Sequence, residues 1–327
     1  MPAAQDSAAE WKSRRGAECA PEIVVLKPRL DERIWGVAKL PSFLEQPQPG
    51  RPVGEAWLTD MRCAAEQPAG TTLGELSRRW PAAFGADERG DFPLLVKFLF
   101  PREKLSVQVH PNDEEARRVG QPRGKTECWY VLSAEPGAEI ALGLREELSP
   151  AEMEEAIHAG TLESKLRYVP VKTGDMVFVE AGTIHAMGPG VVMLETQQYS
   201  DTTYRLYDYG RPRELHLKEG IAVTKPRTAS GLVTAVEHEG FTRLIGTRYF
   251  VVDRFRPIAG KAAELGVAGQ MQILIALNEG SALRLASGRV VALPAGHAVV
   301  LPAAPDLCHL LTGNGDVEVI RVSTGGS

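Results

Sequence analysis

Short apolar or alternating runs, set apart by glycine and proline, recur along this chain at 22–26, 92–98, 105–109, 128–132, 176–179 and 191–194. Runs of this length are too short for most helices and suit strands. Repeated many times with turns between them, they argue for an all-β sandwich or barrel.

Helix is the minority element. The clearest stretch is 149–167, where Ser149 is placed to cap, Pro150 suits the first turn and Glu152 stands three residues past the cap. Met153, Ala156, Ile157 and Leu162 complete it with an apolar stripe. Shorter helices are expected at 72–79 and 112–119. A weak internal repeat sets 172–182 against 293–303, each a glycine turn, a four-residue apolar strand and a turn of small residues. Two β-barrels in tandem follow, with the boundary between 212 and 245. The expected division is a tail at 1–22, a first domain at 23–230 with its helical insertion near 149–167, and a second barrel at 231–327.

Composition narrows the function. The net charge of -5 and the scatter of the 37 basic residues give no stripe for a phosphate backbone, so nucleic acid is not an expected partner. No apolar run reaches the roughly 18 residues a membrane span needs, and the first 18 residues are polar where a signal peptide would be apolar, so a cytoplasmic place is expected. Cys19, Cys63, Cys128 and Cys308 lie far apart with no CxxC pair, which points to reduced thiols and leaves any metal to nitrogen and oxygen ligands. With only seven histidines in the chain, their placement is informative.

Gln108 and His110 stand two apart in an alternating strand, so both project from one face while Val107 and Val109 turn to the core. Pro111 ends that strand and sets the pair at a barrel mouth, where a ligand can arrive. Glu127 opens the next strand and shares a face with Trp129 and Val131; His185 follows the turn 181–184 at the end of another. Two imidazoles, a carboxylate and an amide oxygen form a hard-to-borderline set that suits zinc and leaves room for water or a substrate oxygen. Any one of these residues alone is weak evidence, and it is the combination that points to a metal. His297 and His309 stand alone in the C-terminal half and read as structural.

The segments 93–98, 105–113, 124–127, 182–186 and 200–208 resemble, in content, order and spacing, those of type I mannose-6-phosphate isomerases in their short bacterial form. The resemblance covers about 23–325 and is strongest over 92–211. It implies a mainly β fold of two tandem cupin-type (jelly-roll) barrels, with one catalytic zinc per chain held by Gln108, His110, Glu127 and His185. It also implies the interconversion of mannose 6-phosphate and fructose 6-phosphate, by proton transfer between C1 and C2 through an enediol. The chain departs from the family at Met187, where long-form relatives carry an aromatic residue near the metal, and at Glu180, where the strand-end turn often has proline.

Further roles follow from the resemblance. Lys125, two residues before Glu127, belongs at the rim beside the metal, to aid ring opening or hold a substrate oxygen. Arg205 belongs at the active site, where its planar fork suits phosphate or an anionic oxygen. Asp201 is the candidate for proton transfer, Glu195 for a base or a support to the ligands, and Lys97 and Ser106 for the neighbourhood of the phosphate. A straight strand would separate Glu195 from Arg205 by about 33 Å, so a single site requires a bend, expected at Tyr199 and Ser200. The expected partner is a small hexose phosphate, with no membrane and with a monomer favoured. Two alternatives stand: a sugar-binding or regulatory cupin that transforms nothing, and an isomerase of another hexose phosphate.

Overall fold

The computed structural model describes residues 19–46, 50–260, 262–265, 269–303, 308–313 and 315–326; residues 1–18, most of the expected tail, lie outside them. The chain is mainly β. All six apolar runs contribute strands: Val24–Leu26, Leu94–Leu99, Val107–Val109, Glu127–Ala134, Met176–Val179 and Val191–Gln198. Antiparallel ladders assemble them into sheets of seven, five, nine and four strands, and among the described residues no sheet closes on itself.

The four sheets stack in layers, and the order can be read from alternate residues. In Leu94–Leu99 every residue is buried. Leu94, Val96 and Phe98 join the core shared with the nine-stranded sheet, whereas Leu99 faces the core shared with the five-stranded sheet. A strand covered on both faces reads as a continuous apolar run instead of an alternating one. Beyond the nine-stranded sheet, Leu274, Val299 and Val319 pack on Leu283 and Leu310 of the four-stranded sheet. Beyond the five-stranded sheet, Val107, Val109 and Leu206 pack on Met153, Ile157 and Val223, which come from helices.

The nine-stranded sheet draws most of its strands from the C-terminal half but also takes Val24–Leu26 and Ala64–Gln67 from the N-terminal half. Val24–Leu26 pairs on one side with Ala298–Leu301 and on the other with Ala64–Gln67. The two halves are therefore sewn together by backbone hydrogen bonds. Met176–Val179 and Ala298–Leu301, the strands of the internal repeat, lie in the seven- and nine-stranded sheets.

Reciprocal capping boxes start the helices Leu73–Arg79, Asp113–Arg118 and Pro150–His158, with Thr72, Asn112 and Ser149 as caps. The expected helix at 149–167 is shorter than its pattern suggested. It ends at His158, a second turn of helix spans Leu162–Lys165, and Leu166–Pro170 is a strand. Gly160 explains the break, because its φ of 70° lies in the left-handed region that ends helices. The helix Leu217–Val223 had no sequence expectation. Among the described residues no helix is long and apolar enough to cross a membrane, and Cys63, Cys128 and Cys308 are buried and unbridged.

Candidate metal and active site

The site forms between the five- and seven-stranded sheets, where each contributes inward-facing side chains. Val107–Val109 pairs with His185–Met187 on one side and Tyr204–Tyr207 on the other, which places Gln108 level with both His185 and Arg205. Val107 and Val109 are fully buried beneath the helices, so Gln108 turns to the opposite face, as the period of two requires. Glu127 approaches from the seven-stranded sheet, level with Gln197 and Val179. The loop before it closes tightly: a Cβ on Gly124 would lie 2.5 Å from the Asn112 carbonyl carbon and 2.6 Å from the Pro111 oxygen. With glycine there, the Lys125 amide donates to Pro111 O at 3.0 Å and its side chain reaches His110.

His110, Glu127 and His185 are buried, with a ligand atom from each within 4.8 Å of the others. Glu127 Oε1 lies 3.3 Å from His185 Nε2, and Oε2 lies 3.6 Å from His110 Nε2. Both rings are anchored through Nδ1, to Thr202 O at 3.0 Å and Thr183 O at 2.9 Å. A carbonyl can only accept, so Nδ1 carries the hydrogen in each ring and Nε2 presents its lone pair to the centre. Gln108 Nε2 stands 3.2 Å from that lone pair on His185, and turning the amide over would offer its oxygen to the same point.

The electrostatics match a cation site. Burial lowers His185 to about 4, and burial followed by the Lys125 charge takes His110 well below the ordinary histidine value. Burial, and then the charge of Glu195, raises Glu127 to about 7. Neither Glu127 oxygen has a well-aligned hydrogen-bond donor, although Lys125 Nζ stands 3.1 Å from Oε2. Burying a carboxylate this way is costly, and a divalent ion among three such donors would relieve the cost. The residues therefore fit a metal. Among the described residues no second cluster of this kind occurs; His309 is exposed, and His297 sits 3.2 Å from Ala295 O and 3.6 Å from Glu66.

Above the cluster opens a cleft of about 660 Å³, and all six of Lys97, Ser106, Lys125, Glu195, Asp201 and Arg205 line it. Glu195 and Arg205 meet there because the chain leaves the seven-stranded sheet at Gln198 and enters the five-stranded sheet at Tyr204. The bend expected at Tyr199 and Ser200 is this crossing. Lys97 is buried and held between carboxylates, 3.0 Å from Glu195 and 3.7 Å from Glu55. Trp129 donates to Glu195 at 3.0 Å and Trp57 to Glu55 at 2.7 Å. Arg205 donates Nη1 to Glu214 O at 2.7 Å, and Asp201 is exposed. Met187 lines the cleft, whereas Glu180 lies outside it and accepts the Ala229 amide at 2.8 Å.

Several residues of this site were not expected from sequence. Glu55, Arg33 and Trp35 reach the cleft from the strands Val53–Trp57 and Arg29–Val37, and Arg213 from the loop after Tyr204–Tyr207. The one usable signal was Glu55, a carboxylate within the otherwise uncharged run 53–57.

A paired-sheet fold with imidazole and carboxylate donors converging under a charged cleft has the make-up of a β-sheet enzyme with a candidate metal site. Residues 23–145 match the family model for the catalytic domain of type I phosphomannose isomerase. A mannose-6-phosphate isomerase of Bacillus subtilis strain 168 is 40% identical over 260 residues, covering 74% of this chain and 81% of that protein. One from Streptococcus mutans is 35% identical over 274 residues, 79% of this chain and 86% of that protein. A solved Bacillus subtilis mannose 6-phosphate isomerase superposes with a TM-score of 0.81 at 30% identity, covering 92% of this chain and 99% of that one. The chain belongs to the type I mannose-6-phosphate isomerase family.

Proposed function

We propose that this protein interconverts mannose 6-phosphate and fructose 6-phosphate, with one zinc ion held by His110, Glu127, His185 and the amide oxygen of Gln108. The observation that carries the reading is the buried Glu127, whose two oxygens face two imidazole nitrogens that carry no hydrogen at the floor of the cleft. Nitrogen and oxygen donors in this number suit zinc. When bound, the ion supplies positive charge where the substrate's oxyanion develops.

The protein's own groups do the rest. A carbon-bound hydrogen beside a carbonyl is too weak an acid for a carboxylate alone, so proton transfer must be coupled to charge stabilisation. Asp201, exposed in the cleft, moves the proton between C1 and C2. Lys125, buried 3.0 Å from His110 Nε2 and 3.1 Å from Glu127, holds the sugar oxygen at the ring-opening end. Glu195, fixed by Trp129 and Lys97, supports the cluster through its charge. Residues 23–230 carry this chemistry, while 231–327 contribute sheets and no ligands. We place the enzyme in the cytoplasm.

The direct test is coupled turnover of mannose, glucose and fructose 6-phosphates by the metal-free and zinc-restored protein. Zinc-restored turnover of mannose 6-phosphate in clear preference to glucose 6-phosphate is expected; none at all would reduce the protein to a sugar-binding module.

Metal affinity should depend on pH in a defined direction. Glu127, at about 7 in the metal-free protein, is protonated below that value and must lose its proton to bind the ion. His185, at about 4, is already neutral and adds nothing until pH approaches 4. Affinity should therefore weaken by about tenfold per pH unit below pH 7 and more steeply near 4. Titration calorimetry in buffers of different ionisation enthalpy measures the released proton; a flat profile from pH 7 to 5 removes Glu127 from the ligand set.

Arg205→Lys should keep fold and zinc and lose about a hundredfold in kcat/KM, because a point charge without the planar fork holds an anion loosely. Near-normal kcat/KM in this variant would leave Arg205 only a long-range charge.

A further inference from the structure

Among the described residues the C-terminal half supplies no donor to the metal cluster, yet one of its side chains reaches the frame of the site. Tyr249 stands in the turn between the strands Phe241–Gly246 and Phe250–Phe255 of the nine-stranded sheet. Thr247 Oγ1 holds that turn by accepting the Tyr249 and Phe250 amides at 3.1 and 3.0 Å, and the Arg248 guanidinium lies 4.6 Å from the centre of the ring. So fixed, the phenol donates to Asp113 Oδ2 at 2.9 Å, across 136 positions of sequence.

Asp113 opens the helix Asp113–Arg118, three positions past His110. Its other oxygen accepts the Gly124 amide at 2.9 Å and Gln198 Nε2 at 2.8 Å. Gln198 in turn accepts the Thr126 amide at 3.0 Å and donates its own amide to Thr126 O at 3.1 Å. One carboxylate therefore anchors the segment that carries Lys125 and Glu127, directly at Gly124 and through Gln198 at Thr126. Burial opposes the charge of Asp113, but the donations from Gly124, Gln198 and Tyr249 hold its carboxyl below the usual range, so it serves all three as an anion.

A second phenol makes the same kind of bond between the same halves without touching this network. Tyr130 Oη donates to Glu318 at 2.8 Å, from a side chain packed in the core shared with the nine-stranded sheet, on the face of its strand opposite to Trp129. Comparing the two phenols separates holding the halves together from placing the loop.

We propose that Tyr249 is a positioning residue of the active site, which by fixing Asp113 sets the loop that presents Lys125 and Glu127. The C-terminal half thereby takes part in the reaction without contributing a ligand. The proposal rests on the isomerase reading and extends it to a residue outside the cleft. A bond to a charged acceptor is among the stronger hydrogen bonds, and losing it frees Asp113 to turn with the two groups it holds.

The test compares Tyr249→Phe with Tyr130→Phe in the zinc-loaded enzyme, with mannose 6-phosphate as substrate. Each should lower the melting temperature by about 2–4 °C, the effect of one hydrogen bond. Tyr249→Phe alone should lower kcat by about tenfold, with KM and zinc content changed by less than about twofold, because a small displacement of the loop misaligns Lys125 at the sugar. In an Asp113→Ala background Tyr249→Phe should have no further effect on kcat, since the connection between them is already cut. Hydrogen exchange of the amides of 124–127 in the metal-free protein should be several-fold faster in Tyr249→Phe and unchanged in Tyr130→Phe. Equal kcat in the two phenylalanine variants, independent effects of Tyr249→Phe and Asp113→Ala, or unaltered exchange at 124–127 overturns the proposal. If Asp113→Ala does not fold, kcat and exchange of the phenylalanine variants decide without it. Should the parent turn over no hexose phosphate, the isomerase reading fails separately, and exchange at 124–127 still decides whether Tyr249 holds the loop.

Discussion

Replacing His185 or His110 with alanine should remove the metal and the activity together, by on the order of a thousandfold or more in kcat/KM. Partners that merely orient a ligand cost about 10–100-fold when lost, and a direct ligand must exceed that. Here the loss is compounded, because both imidazoles point Nε2 at Glu127 and removing either leaves a fully buried carboxylate with one fewer neighbour to share an ion. Chelation should have the same effect, and zinc should reverse it in the parent but not in the variants. His297→Ala and His309→Ala should change neither metal content nor turnover. Elemental analysis beside the coupled assay decides it: full turnover by protein shown to contain no metal would sink the site, and zinc lost from His297→Ala would mean that the wrong half of the chain had been chosen.

What was legible in the sequence was local. Gln108 and His110 declared a shared face through simple alternation, and Val107 and Val109 confirmed it by their place under the helices. Ser149 with Glu152 announced a helix start that the structure shows as a reciprocal capping box. The helix ends earlier than its pattern predicts, because the apolar stripe runs on to Leu162 while Gly160 turns the backbone before that residue is reached.

What was not legible depends on partners distant in the chain. Nothing near Val24–Leu26 announces that its neighbour will be Ala298–Leu301. The full burial of Leu94–Leu99 follows from a third sheet behind it, and a single-strand pattern cannot tell such a strand from the centre of any α/β sheet. Asp208 stood inside a matched segment, yet its work lies in the two arginines that follow it. Their pairing appears only once the loop after Tyr204–Tyr207 folds back on the strand. The candidate metal ligands could be found by spacing, whereas the pairing of Asp208 with Arg211 and Arg213 required the fold.

Lys97 separates the two kinds of role most sharply, and Lys97→Met is expected to cost stability before it costs substrate affinity. The ammonium is 6% exposed and lies between Glu195 and Glu55, which are themselves buried. Although burial opposes its charge, Glu195 and then Glu55 hold it above the ordinary lysine range. Methionine fits the stem but leaves two buried carboxylates without their shared cation, a change of about 3–5 kcal/mol. At roughly 2–4 °C per kcal/mol, the melting temperature should fall by on the order of 10 °C. Adding Glu195→Gln removes one of the stranded charges, so the double variant should regain at least part of the loss, the mark of a coupled pair. The contrary result is equally specific. If Lys97 gripped the phosphate instead, Lys97→Met would raise KM with little change in melting temperature, and Glu195→Gln would rescue nothing. Thermal unfolding and KM measured on the same three preparations distinguish a buried counter-ion from a substrate-holding lysine.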